Sequence, residues 1–246
     1  GVKRIASFTE KVVPLMAGLY ILICFIIIII NYANIIKAFE AIFVNAFSAK
    51  SILGGFLGMG VKKAIRYGVA RGLFSNEAGM GSTPHAHAIA KVKNPVEQGN
   101  VALITVFIDT FIVLTLTALV ILTSNIGDGT LTGITLTQRA FENALGYLGT
   151  IFIAIALFFF AFSTIIGWYF FGEANIKYLF GKKAINVYRI LVMIAIFIGS
   201  TQKVELVWEL ADLFNGLMVI PNLIALIVLY KLVVNTSSEY DKLHNL

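Results

Sequence analysis

The densest group of side chains able to do chemistry lies in Gly72-Leu73-Phe74-Ser75-Asn76-Glu77-Ala78-Gly79-Met80-Gly81-Ser82. Ser75 and Asn76 supply neutral oxygens of the kind that bind a hard monovalent cation. Glu77 can pair with Arg71 or with a cation. Three glycines, at 72, 79 and 81, make an unbroken helix costly here, by about 1 kcal/mol each relative to Ala. Pro84 then suits the first turn of a new helix. The spacing predicts two half-helices, over about 60–73 and 82–92, flanking an unwound stretch. Such a break leaves N–H groups free at one half-helix and C=O groups free at the other. Those groups suit a carboxylate, and an ammonium or Na⁺, respectively. The competing reading is an ordinary cytoplasmic or re-entrant loop rich in Gly and Ser.

A second group is Ala161-Phe162-Ser163-Thr164-Ile165-Ile166-Gly167-Trp168. Thr164 and Trp168 are four apart and share a helix face. Hydroxyl and carbonyl oxygens beside an indole can wall a small pocket. Equally, Ser and Thr can bond back to their own helix, with Trp at the membrane interface. Asp109, in Phe107-Ile108-Asp109-Thr110-Phe111, is an acid within an apolar run. Such an acid faces the bundle interior and is paired, with Arg71 or Arg66 as candidate partner, or it caps the helix. His85 and His87 lack the four-residue spacing of helical zinc ligands. Glu205, Glu209 and Asp212 form one helical stripe, read as the solvated face of an external segment. The sequence has no nucleophile elbow, phosphate-binding loop or helical zinc-protease motif. It therefore gives no support to an enzyme, an ATP-driven pump or a cofactor site.

These groups must be positioned by helices in lipid. Hydrophobic residues make up 59% of the 246, charged residues 13%, and mean hydropathy is +0.89. A soluble domain is about half apolar and a quarter charged. Residues 12–30 carry no charge, nor do 110–125 or 150–172, and about 20 helical residues span a hydrocarbon core. The alternating segments of a barrel are absent. Spans are expected at about 12–33, 99–123, 147–171, 187–200 and 204–234, with the broken segment 60–92 as a sixth. The last contains Asn215-Gly216 and Pro221 and is expected to kink or divide. Residues 34–58 read as a loop or interfacial helix, and 125–138 as a polar, Gly-rich loop.

The net charge of +6 reads as basic loops on the cytoplasmic side rather than as a nucleic-acid surface. Lys3, Arg4, Lys11, Lys91, Lys93, Lys177, Lys182, Lys183, Arg189, Lys231 and Lys242 fall on one side, which places the C-terminus in the cytoplasm. Lys37, Lys50, Lys62, Lys63 and Arg66 disagree with that assignment. Cys24 stands alone, so no disulfide framework is possible. The chain opens Gly1-Val2-Lys3-Arg4, with no initiator Met and no secretory signal, and reads as a fragment.

The run from Arg71 through Ser75-Asn76-Glu77-Ala78-Gly79 to Pro84-His85-Ala86-His87-Ala88, preceded by Ala64-Ile65-Arg66-Tyr67-Gly68-Val69-Ala70, strongly resembles the alanine/glycine:cation symporter family. So do Lys3-Arg4-Ile5-Ala6, Thr9-Glu10-Lys11-Val12-Val13-Pro14, Phe107-Ile108-Asp109-Thr110 and Phe162-Ser163-Thr164-Ile165-Ile166-Gly167-Trp168. The resemblance covers essentially the whole chain. It implies sodium-coupled (sometimes proton-coupled) uptake of alanine or glycine across the plasma or inner membrane, with sodium as the coupling ion. It also implies an all-α, leucine-transporter-type inverted-repeat fold, of which this chain looks like the C-terminal half. On that reading residues 1–36 are the last helix of the first repeat and 37–59 an external loop or interfacial helix. Residues 60–234 are the second five-helix repeat, and 235–246 a cytoplasmic tail. The resemblance makes Phe74, Ser75, Asn76, Gly79, Thr164 and Trp168 substrate-binding residues, and Ser163 and Thr164 sodium ligands. Arg71, Glu77 and Asp109 become a coupling or structural ion-pair group. The family's first repeat carries another broken helix, with a Gly-Thr-Gly-Asn-type motif that this chain lacks, so a missing N-terminal repeat is expected to be required. Two other classes remain: a channel, whose pore polar breaks can also line, and a non-transporting membrane scaffold.

Overall fold

A computed structural model describes residues 2–47, 58–126, 131 and 133–244. Among them every regular element is helical. In order these are α1 (Val2–Ile30), a 3₁₀ turn (Tyr32–Asn34), α2 (Ile35–Phe47), α3 (Gly58–Asn76) and the single turn α4 (Pro84–His87). There follow α5 (Pro95–Phe107), a π-turn (Ile108–Val113), α6 (Leu114–Thr123), α7 (Gly133–Leu145), α8 (Tyr147–Phe180), α9 (Ala184–Thr201) and α10 (Val204–His244). Among the described residues five helices are long and apolar enough to cross a membrane: Lys11–Ile30, Pro95–Thr123, Tyr147–Phe180, Ala184–Thr201 and Val204–His244. The chain is a multi-pass membrane protein. The expected sixth span is the broken segment, which has no such helix.

The residues form two compact units, Gly1–Ala64 with Thr110–Trp168, and Ile65–Asp109 with Tyr169–Leu246. In the first, Tyr20, Cys24, Ile27 and Ile28 of α1 pack with Leu116, Leu119 and Val120 of α6 and with Ala140 and Phe141 of α7. Lipid tails are as apolar as these side chains, so close packing and internal hydrogen bonds carry the association. The Tyr20 hydroxyl and Thr117 Oγ1 lie 2.7 Å apart, and Asn34 Nδ2 donates to the Thr123 carbonyl at 2.9 Å. Gly149 of α8 lies against the Phe141 carbonyl, where a Cβ would come within 2.2 Å of the oxygen.

Several expectations change. Helix α7 occupies part of the stretch read as a loop, because the glycine-rich composition before it hid a stripe of Ala140, Phe141, Ala144 and Leu145. Residues 127–130 and 132 of that stretch lie outside the described residues. Of the stretch read as a loop or interfacial helix, residues 35–47 are helical, and 48–57 lie outside the described residues. Helix α8 continues beyond 171 to Phe180. Helix α10 runs undivided for 41 residues through Pro221, because one lost backbone bond is tolerated within a membrane helix. It also carries residues 235–244 as helix.

Candidate functional site

In the second unit, α3 does not stop at its glycines. It continues through Gly72 to Asn76, and the break is confined to residues 77–83. The second half-helix is one turn, Pro84–His87, rather than 82–92. Glu77 ends α3 in the left-handed conformation, at φ +57. That position usually belongs to Gly, and a side chain there costs about 1–2 kcal/mol. Local bonds hold it. Ser82 Oγ donates to Glu77 Oε2 at 3.0 Å, the Ala78 N–H donates to Asn76 Oδ1 at 3.2 Å, and the Met80 N–H reaches the Glu77 carbonyl at 3.2 Å. Met80 and Ser82 are buried, at 2% and 1% exposure.

Beside the break lies a pocket of about 270 Å³ whose polar lining is Ser75, Asn76, Glu77, Thr83, Thr105 and Asp109. Phe171 closes one side. Ser75 Oγ donates to Asp109 Oδ2 at 2.7 Å, which joins the last turn of α3 to the π-turn after α5. Asp109 sits in the π-turn Ile108–Val113, a rare geometry concentrated at functional sites. Among the described residues no Lys or Arg lines the pocket. Its oxygens are therefore suited to a cation or an ammonium group.

The expected ion pairs are rearranged. Arg71 binds Asp212 of α10, Nη1 to Oδ1 at 2.6 Å and Nη2 to Oδ2 at 3.4 Å. Its guanidinium lies 3.8 Å from the Trp208 ring centre, and Phe74 meets Trp208 edge-on at 5.6 Å. The Asp109 carboxylate takes the Ser75 hydroxyl instead of Arg71. Asp212 belongs to this pair rather than to a solvated acidic stripe. Helix α3 remains intact through Arg71, which lets the guanidinium reach α10.

Phe74, Ser75, Asn76, Glu77, Gly79 and Asp109 thus lie in one unit. Ser163, Thr164 and Trp168 belong to the other, on one continuous stretch of α8, where Ser163 Oγ bonds back to the Phe160 carbonyl at 3.0 Å. Thr164 is exposed and Trp168 half-buried.

The profile of the sodium:alanine symporter family matches residues 1–245. The chain belongs to this family. Its members are transporters, not enzymes. Among its relatives, the sodium/alanine symporter AgcS of Methanococcus maripaludis is 41% identical over 99% of this chain and 53% of the relative. The amino-acid carrier protein AlsT of Bacillus subtilis is 40% identical over 98% of the chain and 51% of the relative. The probable sodium/glutamine symporter GlnT of Bacillus subtilis is 44% identical over 98% and 50%. The chain spans about half the length of the curated relatives it matches.

Within this family member, sequence reasoning missed three parts of the site region. Thr83 and Thr105 line the pocket. His85 Nε2 lies 2.9 Å from Asn175 Nδ2, and its Nδ1 lies 3.0 Å from the Ser82 carbonyl. Asn222 Nδ2 donates to the carbonyls of Ala78 at 3.2 Å and Gly79 at 3.0 Å. A signal for Asn222 existed: it is the one polar side chain in residues 216–229 of an apolar span, and a polar residue there needs a reason.

Proposed function

We propose that this chain forms part of a secondary active carrier that couples Na⁺ entry to uptake of a small neutral amino acid, alanine or glycine, across the cell membrane. The supporting observation is the pocket at the helix break, lined by two acidic residues and by residues with neutral oxygens, in a chain of the sodium:alanine symporter family. Phe74, Ser75, Asn76 and Gly79 are proposed to bind substrate, and so are Thr164 and Trp168. Ser163 and Thr164 are proposed as sodium ligands, and Asp109 and Glu77 as the acidic groups that tune the coupling. Sodium binding favours the substrate-ready state, and substrate favours sodium binding by the same factor. No ATP or cofactor enters the cycle. The proposed architecture is a leucine-transporter-type inverted repeat. On this proposal residues 1–36 close a first repeat, 37–59 are an external loop or interfacial helix, and 60–234 belong to the second repeat. The C-terminus is cytoplasmic, and a first repeat is required to complete the carrier.

The test is uptake into proteoliposomes by this chain, alone and co-reconstituted with the N-terminal half of the Methanococcus maripaludis relative. Sodium-driven, saturable alanine uptake only in the combined sample supports the proposal. Uptake indifferent to exchanging Na⁺ for K⁺, but driven by a pH gradient, replaces sodium with protons. That alternative has a specific basis in a sodium/proton-dependent alanine carrier of Bacillus sp., 36% identical to this chain. The likeness to GlnT adds glutamine as a competitor to include. Large, non-saturating currents would point to a channel.

A further inference from the structure

We infer that Asn222 is a positioning residue that holds the broken helix in its binding geometry. The inference rests on the carrier reading for its functional consequence and on the hydrogen bonds of the break for its structural one.

Unwound backbone inside a membrane protein must find partners for its N–H and C=O groups. Helix α3 ends at Asn76, so the carbonyls of Ala78 and Gly79 have no helical partner. The two protons of the Asn222 amide go to these two successive carbonyls, at 3.2 and 3.0 Å. The Ala78 N–H is taken by Asn76 Oδ1, and Asn76 lines the pocket. Ala78 is therefore pinned from both sides, by a pocket residue at its N–H and by α10 at its carbonyl. Whatever holds Ala78 also holds the side chain of Asn76 against the pocket.

Gly81 gives a second, independent observation. It has φ +76, and a Cβ there would lie 2.7 Å from Asn222 Oδ1 and 2.8 Å from its Cγ. The turn thus lies against Asn222 as well as bonding to it, and a side chain at 81 would have to displace Asn222. The setting of Asn222 is the third. An amide amid the thirteen nonpolar residues of 216–229 is costly unless its hydrogen bonds are met, and these carbonyls meet them. Pro221, Leu223 and their neighbours offer no other polar side chain to do so.

Two readouts test the role. The first needs no transport. Met80 is buried at the tip of the turn, so M80C in a C24A background reports opening by its rate of modification with a membrane-permeable maleimide. Adding N222D, which keeps the shape but removes both donors, should raise that rate about tenfold or more, the scale of one or two lost hydrogen bonds. N222A should act in the same direction and serves if N222D does not fold. G81A should also raise it, both by displacing Asn222 from the two carbonyls and by straining the turn at φ +76. The second readout is alanine uptake by the co-reconstituted carrier. N222A should raise KM about tenfold while leaving kcat within about threefold, the signature of lost binding geometry. A residue that only stabilised the fold would lower yield and leave both constants in place. Unchanged labelling in N222A and N222D would overturn the inference. Faster labelling with KM unchanged would overturn the positioning role, though the turn contact would stand. Faster labelling in a protein that carries no alanine would leave the turn role intact and refute the carrier reading.

Discussion

The Arg71–Asp212 pair lends itself to a quantitative test, because its geometry separates three contributions. Both N···O contacts are within reach of a fork, at 2.6 and 3.4 Å. The side chains keep 33% and 15% of their exposure, so neither the fully solvated nor the fully buried limit applies. Two unit charges about 4 Å apart attract by about 4 kcal/mol at an effective dielectric of 20. Desolvation and side-chain ordering remove much of this, and exposed pairs retain only about 0.2–1 kcal/mol. A partly buried fork should therefore show a coupling of about 1–2 kcal/mol, between that value and the 1.5–3 of a charged hydrogen bond. Arg71 also stacks on Trp208 at 3.8 Å, which adds about 0.5–1 kcal/mol to the cost of losing the guanidinium. The variants are R71A, D212A and the double substitution, with R71K to keep the charge while losing the fork and much of the stacking. Unfolding in detergent followed by tryptophan fluorescence gives the four stabilities. R71A should be the more damaging single change, and the double variant should cost less than the sum of the singles. Singles that add to within about 0.3 kcal/mol would refute the reasoning. So would a coupling that vanishes in 0.5 M salt, since screening on the order of that strength removes only solvated pairs.

Two further changes bear on the packing and the pocket. G149A should lower the unfolding midpoint by the equivalent of about 1–3 kcal/mol, because its Cβ would meet the Phe141 carbonyl at 2.2 Å and backbone cannot yield. G18A, with open space around it, should instead be neutral or stabilising by up to about 1 kcal/mol in its helix. N76A and W168A should each raise the KM for alanine by about tenfold, the scale of one lost polar or aromatic contact. Unchanged KM in both would remove these residues from the substrate site while leaving the family assignment untouched.

The residues themselves determine that this chain crosses a membrane. Uncharged runs such as residues 12–30 must be buried in lipid whatever their neighbours do, because the cost of hydrating them is additive along the chain. The site of the break was legible for a similar local reason: Gly79, Gly81 and Pro84 disfavour helix by their own backbone preferences. Its extent was not. Gly72 also disfavours helix by about 1 kcal/mol, yet α3 runs through it, since the Arg71–Asp212 pair and the Phe74–Trp208 contact reward helix there. Pro221 likewise fails to divide α10. The choice of partners was beyond any reading of spacing. Arg71 stands 141 positions from Asp212, and Asn222 143 positions from Gly79. Local chemistry showed that Arg71 and Asp109 needed partners, and that the unwound carbonyls did too. Which groups answered them depends on how helices distant in sequence pack, and only the tertiary structure decided that.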